Sequence, residues 1–451
     1  PGISSAASDV YKRQIWDFFC KLRRMKIKEL YALFLNSNGI STDSRKLKPN
    51  MLFFALKGDN FNANNFTQKA FDAGASYCII DEKQDPQNER LIVVDDVLKT
   101  LQQLAYFHRK TLDIPIIALT GSNGKTTTKE LINVVLSRAY NIHATQGNYN
   151  NHIGVPLTLL EMDSQTQIGI VEMGANHIGE IAELCKIAAP THGYITNFGK
   201  AHLEGFGSEA GVIKGKSELY NYLINNDGFI FVNSDDDKQL ALLNSYKKTH
   251  TFSVKKKSDT QVLLSSETPF LNIESQGCLI QSQLLGRYNF SNLAAAITMG
   301  CFFKINLDDI KKGVASYTPK NNRSEIIKKG SNTIILDAYN ANPSSMEAAL
   351  DNFNAMKSSA KLVILGDMFE LGGQSEKEHL ALIKKVNSYN FSQMFFIGLN
   401  FFDWTSAFPE GTFFETTAAF KEALISMRIE NALVLIKGSR GMALESLIEA
   451  F

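Results

Sequence analysis

Residues 114–140 read IPIIALTGSNGKTTTKELINVVLSRAY, and this stretch decides the fold. IPIIAL (114–119) is a short apolar run of the buried-strand type. KTTTKELINVVLSRAY (125–140) places Leu131, Val134, Val135 and Leu136 at helical spacing. Between them lies Thr120-Gly121-Ser122-Asn123-Gly124-Lys125-Thr126-Thr127. A strand, a Gly-rich loop and a helix N-terminus in that order make a phosphate cradle. Glycines let backbone N–H groups converge on phosphate oxygens, and the helix end adds partial positive charge. Lys125 is placed to reach β- and γ-phosphates, and the Thr126 hydroxyl to ligate Mg²⁺. The loop departs from the general G-x-x-x-x-G-K-[ST] pattern, because Leu119 stands at the first glycine position.

Working outward, QIGIVEM (167–173) is a further strand with Glu172 at its end. Ligands of open α/β sheets sit at the carboxyl ends of the strands, so Glu172 is expected beside the phosphate loop as a metal carboxylate. His202, in GKAHLEGFGS, follows the strand HGYITNF (192–198) on a Gly-rich loop. A lone histidine is more often structural than a ligand. Lys216, in GVIKGKSELY, reads as helical; spacing alone leaves Lys214 and Lys216 equally open to a solvated role. GFIFVN (228–233) is another strand, and the polar, alternating text at 251–285 predicts an antiparallel excursion. GRYNFSNLAAAITMG (286–300) reads as a loop entering an Ala-rich helix.

Past Pro319, TIILDAY (333–339), KLVILGD (361–367), QMFFIG (393–398) and ALVLIKG (432–438) alternate with helical text after 343, 375, 416 and 441. That alternation predicts a doubly wound parallel sheet. Ahead of the loop, MLFFAL (51–56), SYCIID (76–81) and RLIVVDD (90–96), with helical text at 66–73, describe a small mixed α/β unit. The expected fold is therefore α/β in three domains. Residues 25–112 form a mixed α/β N-terminal domain, 113–318 a central P-loop ATPase-type parallel sheet, and 319–451 a Rossmann-like doubly wound domain. Residues 1–24 show no period and are expected to be an extension or an artefact ahead of Met25.

The 451 residues fit about three domains at roughly 150 residues each. Hydrophobic residues make up 44% and charged residues 21%, which excludes wholesale disorder. Forty-seven basic against 46 acidic side chains leave a net charge of +1, so electrostatics give no case for nucleic acid or an anionic membrane as partner. No apolar run is long enough for a transmembrane helix. The five cysteines are scattered, as expected of free thiols in a reducing cytoplasm.

TGSNGKTTT, the strand-end Glu172 in VEMGA, and AHLE followed by KSE resemble the Mur ligases, the ATP-dependent peptide ligases of peptidoglycan precursor synthesis. Five further stretches narrow the resemblance: GNYNNHIGVPLTLL (147–160), VEMGANHIGEI (171–181), DAYNANPSSM (337–346), LGDMFELG (365–372) and KGSRGM (437–442). They look like the branch that joins D-alanyl-D-alanine to UDP-N-acetylmuramoyl-tripeptide. The likeness runs from about Met25 onward. Folylpolyglutamate synthase shares the plan but would not need LGDMFELG. A non-catalytic nucleotide-binding regulator would be favoured by loss of Lys125, Glu172 or His202, and all three are present.

The resemblance implies a cytoplasmic, monomeric enzyme using ATP and Mg²⁺ on two small-molecule substrates. It implies that Lys125 and the backbone of Gly121, Ser122, Asn123, Gly124, Thr126 and Thr127 hold the ATP phosphates. Thr126 and Glu172 would bind one Mg²⁺ and His202 a second, with Lys216 matching a lysine carbamylated in many relatives. Asn289 and Asn292 match adenine-side asparagines, and Arg323 a hinge arginine that reaches the nucleotide. Asp337, Tyr339 and Asn340 would face the nucleotide from the C-terminal domain. Asn148, Asn150 and Asn151 would face the muramoyl-peptide, and Ser44 and Arg45 of STDSR the uridine nucleotide. Two departures touch that last group: Asn50 stands where relatives usually have glycine, and GDNFNANNF (58–66) replaces a G-x-x-x-D-G-H-x-F pattern.

Overall fold

The computed structural model describes residues 25–82, 84, 88–268 and 270–451; the expectation for residues 1–24 lies outside them. The chain divides into two compact units. The first runs to Ile114 and also takes residues 145–166 and 186–189. The second holds 115–144, 167–185 and 190–451. Among the described residues no helix is long and apolar enough to cross a membrane.

In the first unit, α1 (Ile27–Leu35) buries Leu30, Tyr31 and Phe34. Strands β1 (Ile40–Ser41), β2 (Leu52–Phe54), β3 (Tyr77–Ile80) and β4 (Leu91–Val93) form a parallel sheet in that order. Phe53, Ala55, Cys78 and Ile80 fill its core. Helix α2 (Val97–Leu112) is capped by Asp96, whose side chain accepts the Lys99 N–H. Buried His108 on α2 donates from Nε2 to the Met162 carbonyl at 2.8 Å and accepts the Tyr31 hydroxyl at Nδ1 at 3.1 Å. This one ring ties residues 145–166 to both α2 and α1. Asn50 has φ +64, so it occupies the left-handed region that glycine enters most easily.

The second unit carries two sheets. The larger contains β5 (Ile116–Thr120), β6 (Ile142–Ala144), β7 (Ile168–Glu172), β8 (His192–Ile195), β9 (Phe229–Asn233), β10 (Thr249–Ser253), β11 (Thr260–Ser266), β12 (Asn272–Ser275) and β13 (Cys278–Gln281), in the order β13-β12-β11-β10-β9-β8-β5-β7-β6. Every pairing from β6 to β11 is parallel; β11-β12-β13 is antiparallel. The expected antiparallel excursion is thus only partly so. Ser253 accepts the Lys255 and Lys256 N–H groups and Asp259 accepts the Thr251 N–H, folding the KKKSD loop back so that β11 starts beside the end of β10. Helix α3 (Lys125–Leu136) follows β5, α4 (Glu209–Asn225) precedes β9, and α5 (Phe290–Phe302) follows the hairpin. Leu131, Val135, Leu293, Ile297 and Ile310 join the sheet in one apolar core.

The second sheet contains β14 (Glu325–Lys329), β15 (Asn332–Asp337), β16 (Lys361–Gly366), β17 (Gln393–Ile397), β18 (Thr412–Phe414) and β19 (Leu433–Lys437), in the order β14-β15-β19-β16-β17-β18. It is parallel apart from the β14 edge. Helices α6 (Pro343–Ala355) and α7 (Ser375–Asn387) begin where the sequence places them. The text after 441 does not form an α-helix. Ala443 is left-handed (φ +50), and Leu444–Ala450 winds as a 3₁₀ segment whose Leu444 and Leu447, three apart, are both buried.

Candidate active site

Strand β5 is buried throughout and ends at Thr120, where the loop begins. Gly121 has φ +143, and a Cβ there would lie 2.0 Å from Thr196 Oγ1. Gly124 has φ +78, and its Cβ would meet Asn292 Oδ1 at 2.5 Å. Glycine is therefore required at both by conformation and by space. The loop is anchored on the segment after β8. Ser122 N–H donates to the Asn197 carbonyl (3.1 Å) and Asn123 N–H to Asn197 Oδ1 (3.0 Å). Thr196 Oγ1 and Asn197 Nδ2 both donate to the Asn123 carbonyl, at 2.6 and 3.0 Å. No side chain caps α3, whose first-turn N–H groups, including those of Thr126 and Thr127, suit an anion.

Lys125 Nζ donates to the Gly121 carbonyl at 2.8 Å. Burial lowers its pKa and the Arg323 charge adds to that, while Glu172 and Glu370 oppose it. One cation and two carboxylates thus act on Lys125. Glu172 is 2% exposed and pairs in register with Leu119. Behind the loop, Asn292 Oδ1 accepts the Thr128 hydroxyl (3.1 Å), Asn292 Nδ2 donates to Asn289 Oδ1 (2.8 Å), and Asn289 Nδ2 donates to the Leu285 carbonyl (2.8 Å). This buried chain of amides fixes the start of α5 against α3.

From the C-terminal sheet, the Arg323 guanidinium stacks 3.6 Å from the centre of the Tyr339 ring. Asp337 accepts Lys437 Nζ (2.6 Å) and the Ser324 N–H (3.2 Å), so its visible partners are protein groups. Asn340 turns its side chain to the Ala341 N–H and offers its carbonyl to Lys437. His202, with φ +52, places Nδ1 2.5 Å from Glu370 Oε2. The bond from His202 lowers the Glu370 pKa, with burial opposing. Lys216 on α4 is fully buried, donates to the Ala175 carbonyl at 2.9 Å and lies over the Phe206 ring. Burial first, then the Lys125 charge, push its pKa far down, which favours a neutral, nucleophilic amine.

Thr126 and Glu172 supply hard oxygen donors of the kind Mg²⁺ prefers, and Mg²⁺ habitually completes its shell with water and phosphate. Among the described residues no group of three or more His, Cys, Asp or Glu is gathered into a metal cage. His202 Nδ1 stands against the Glu370 carboxylate at ion-pair distance without meeting hydrogen-bond geometry, so Nε2 is the ring nitrogen this contact leaves open.

In the first unit, Ser44 and Arg45 sit on a 3₁₀ turn (Ser44–Lys46) whose cap Asp43 accepts the Arg45 N–H and guanidinium. The Arg45 side chain holds the Asp43 pKa near 2. Asn148 and Asn150 lie in the loop after β6, the Asn150 N–H bonded to the Asn148 carbonyl. Asn151 caps the helix Gly154–Leu160 through the Ile153 and Gly154 N–H groups.

Three contributors were not singled out from sequence. Asn197 holds the phosphate loop, Asn342 Nδ2 donates to Asn123 Oδ1 at 2.8 Å, and Glu370 pairs with His202. Asn342 stands before Pro343 as a helix cap, a local signal that was readable. Glu370 lies inside LGDMFELG, noticed as a marker rather than as chemistry.

Residues 119–300 match the Mur ligase middle domain, and 322–440 the Mur ligase, glutamate ligase domain. A UDP-N-acetylmuramoyl-tripeptide–D-alanyl-D-alanine ligase from Bacillus subtilis is 37% identical over 429 residues, covering 91% of this chain and 92% of the relative. The Escherichia coli protein of the same name is 34% identical, covering 94% and 95%. A crystal structure of MurF from Acinetobacter baumannii superposes with a TM-score of 0.81 at 32% identity, covering 91% and 92%. MurF from Thermotoga maritima in complex with ADP shares the fold, at a TM-score of 0.80 and 24% identity.

Proposed function

From the premise that this chain belongs to the Mur ligase family, we infer that it joins D-alanyl-D-alanine to UDP-N-acetylmuramoyl-tripeptide with hydrolysis of ATP. The observation that carries the reading is the clustering of Lys125, Glu172, Arg323 and Glu370 at the phosphate loop of a chain whose relatives of that name match it nearly end to end.

The γ-phosphoryl group passes to the tripeptide carboxylate, the dipeptide amine attacks the resulting acyl phosphate, and phosphate leaves. Two anions must meet in the first step. The Lys125 ammonium, the Arg323 guanidinium and the N-terminus of α3 screen that repulsion. Thr126 and Glu172 would hold one Mg²⁺ and His202 Nε2 a second. Bound there, the metal neutralises charge on the phosphates. Gly121–Thr127 cradle the triphosphate, and Asn289, Asn292, Tyr339 and Asn340 frame the nucleotide, with Asp337 supporting through Lys437. Ser44, Arg45, Asn148, Asn150 and Asn151 are assigned to the UDP-sugar-peptide. The suppressed Lys216 ammonium supports carbamylation, which requires a neutral amine. The buried free thiols of Cys78 and Cys185 support a reducing cytoplasm.

The test is phosphate release from ATP with UDP-N-acetylmuramoyl-tripeptide and D-Ala-D-Ala, each omitted in turn, with the product weighed by mass spectrometry. Release requiring both, with the pentapeptide formed, is expected. Release independent of either overturns the reading.

A further inference from the structure

Glu370 acts on Lys125 at the phosphate loop but is given no step in the chemistry above, and it touches the histidine assigned to the metal. We propose that Glu370 is a positioning residue that aims His202 Nε2 at the nucleotide's metal, and that it does so only when the C-terminal sheet is seated on the phosphate-loop sheet; this rests on the ligase reading.

The loop that presents Glu370 is pinned residue by residue. Asp367 is 3% exposed and accepts Asn400 N–H (3.1 Å), Asn400 Nδ2 (2.9 Å) and Phe401 N–H (3.2 Å). Met368 N–H donates to Nε2 of buried His379 (3.1 Å), whose Nδ1–H donates to the Ser375 carbonyl (2.7 Å). Phe369 N–H donates to Ser439 Oγ (2.9 Å). Glu370 then takes φ +61, a conformation that β-carbon-bearing residues keep only where the surroundings over-determine it. Its carbonyl accepts the Glu204 N–H (3.2 Å), two residues beyond His202. Carboxylate and carbonyl of one residue thus grip both ends of the His202–Glu204 turn.

The seat has further pegs. Lys200 N–H donates to Ser344 Oγ (2.9 Å), Lys200 Nζ to Glu378 (2.9 Å), and Asn342 to Asn123. His202 therefore receives its carboxylate from the same body that docks on the phosphate loop. A carboxylate on one ring nitrogen fixes the tautomer, orients the ring and makes the other nitrogen a better ligand; losing such a partner typically costs 10–100-fold in metal affinity or activity.

The experiment uses the full chain with Glu370→Ala, Glu370→Gln, His202→Ala and the double variants. Mg²⁺-dependent ADP binding is followed by calorimetry, without either acceptor substrate. Glu370→Ala is expected to raise the half-saturating Mg²⁺ concentration about 10–100-fold. In the His202→Ala background the same change is expected to add less than about twofold. Glu370→Gln, whose amide oxygen still accepts Nδ1–H, falls between and carries the cycle if the alanine variant does not fold. Long-range ¹⁵N–¹H spectra of the metal-free protein are expected to show His202 protonated at Nδ1, and to lose that signature in Glu370→Ala. An equal factor in both backgrounds would reduce Glu370 to a clip between the sheets and overturn the proposal. So would unchanged Mg²⁺ dependence, or a wild-type His202 protonated at Nε2. Since only Mg²⁺ and ADP are used, failure of the wild type to make pentapeptide would count against the ligase reading alone.

Discussion

Replacing Gly124 by alanine tests the phosphate loop where space is tightest. At φ +78 an alanine pays about 1–2 kcal/mol for the left-handed backbone. Its Cβ would also stand 2.5 Å from Asn292 Oδ1 and 2.9 Å from Asn292 Nδ2. That amide is 4% exposed and cannot retreat without losing Thr128 or Asn289, each bond worth about 0.5–1.5 kcal/mol. The sum is about 3 kcal/mol. At roughly 2–4 °C per kcal/mol for a domain of this size, the melting transition should fall by about 6–12 °C. Gly277 supplies the control: its φ is +74, in the turn between β12 and β13, and nothing lies within 4 Å of its Cβ position. Gly277→Ala should cost only the backbone part, about 2–8 °C. Scanning calorimetry of the full chain reads both. Adding Asn292→Ala should erase most of the difference, because the obstructing amide is gone. If Gly124→Ala melts no lower than Gly277→Ala, or if Asn292→Ala fails to relieve it, the steric reasoning is wrong.

Lys125→Ala should abolish pentapeptide formation while leaving the melting temperature at or above that of the wild type, since a desolvated ammonium is removed; retained turnover would refute its role. Burial holds the His192 pKa near 4, below its ordinary 6.5. The unfolded chain therefore binds a proton that the folded chain refuses as pH falls from about 6.5 to 4, and stability is lost across that window. His192→Phe, set among Phe229, Phe231, Phe302 and Phe303, should flatten that loss in pH-dependent melting curves; an unchanged acid limb would count against it. Asn342→Ala should cost about 1 kcal/mol for the lost cap and raise the KM for ATP through the freed Asn123 side chain, whereas an unchanged KM would make Asn342 a cap and nothing more.

Local chemistry made much of this molecule readable from its sequence. TGSNGK between an apolar strand and an amphipathic helix admits few structures, and the strand-end position of Glu172 follows from where the apolar run QIGIVEM stops. What was not readable depends on partners far away in the chain. Glu370 acquires meaning only because His202, 168 positions earlier, is brought to it. Asp367 looks like a catalytic carboxylate in LGDM, yet three N–H donors 33 or 34 positions on consume it. The segment 441–451 carried apolar residues suited to a helix, but Ala443 in the left-handed region resets the chain into a tighter coil. Likewise, residues 145–166 follow the phosphate-loop helix in sequence but are claimed by His108, through a bond to Met162 that spans 54 positions.

The strand order β14-β15-β19-β16-β17-β18 also governs how this chain can be made. β19 lies between β15 and β16, with Asp337 beside Lys437 exactly one hundred positions on. During synthesis β15 and β16 leave the ribosome long before the strand that must separate them. The nascent domain therefore waits with two apolar edges, around Ile334 and Leu336 and around Leu362 and Ile364, that have no legitimate neighbour yet. A stop codon just ahead of Leu433 would remove the middle of the sheet rather than trim its end. Such fragments should be cleared by proteolysis or aggregate, and residues 433–451 are the ones on which completion of the domain depends.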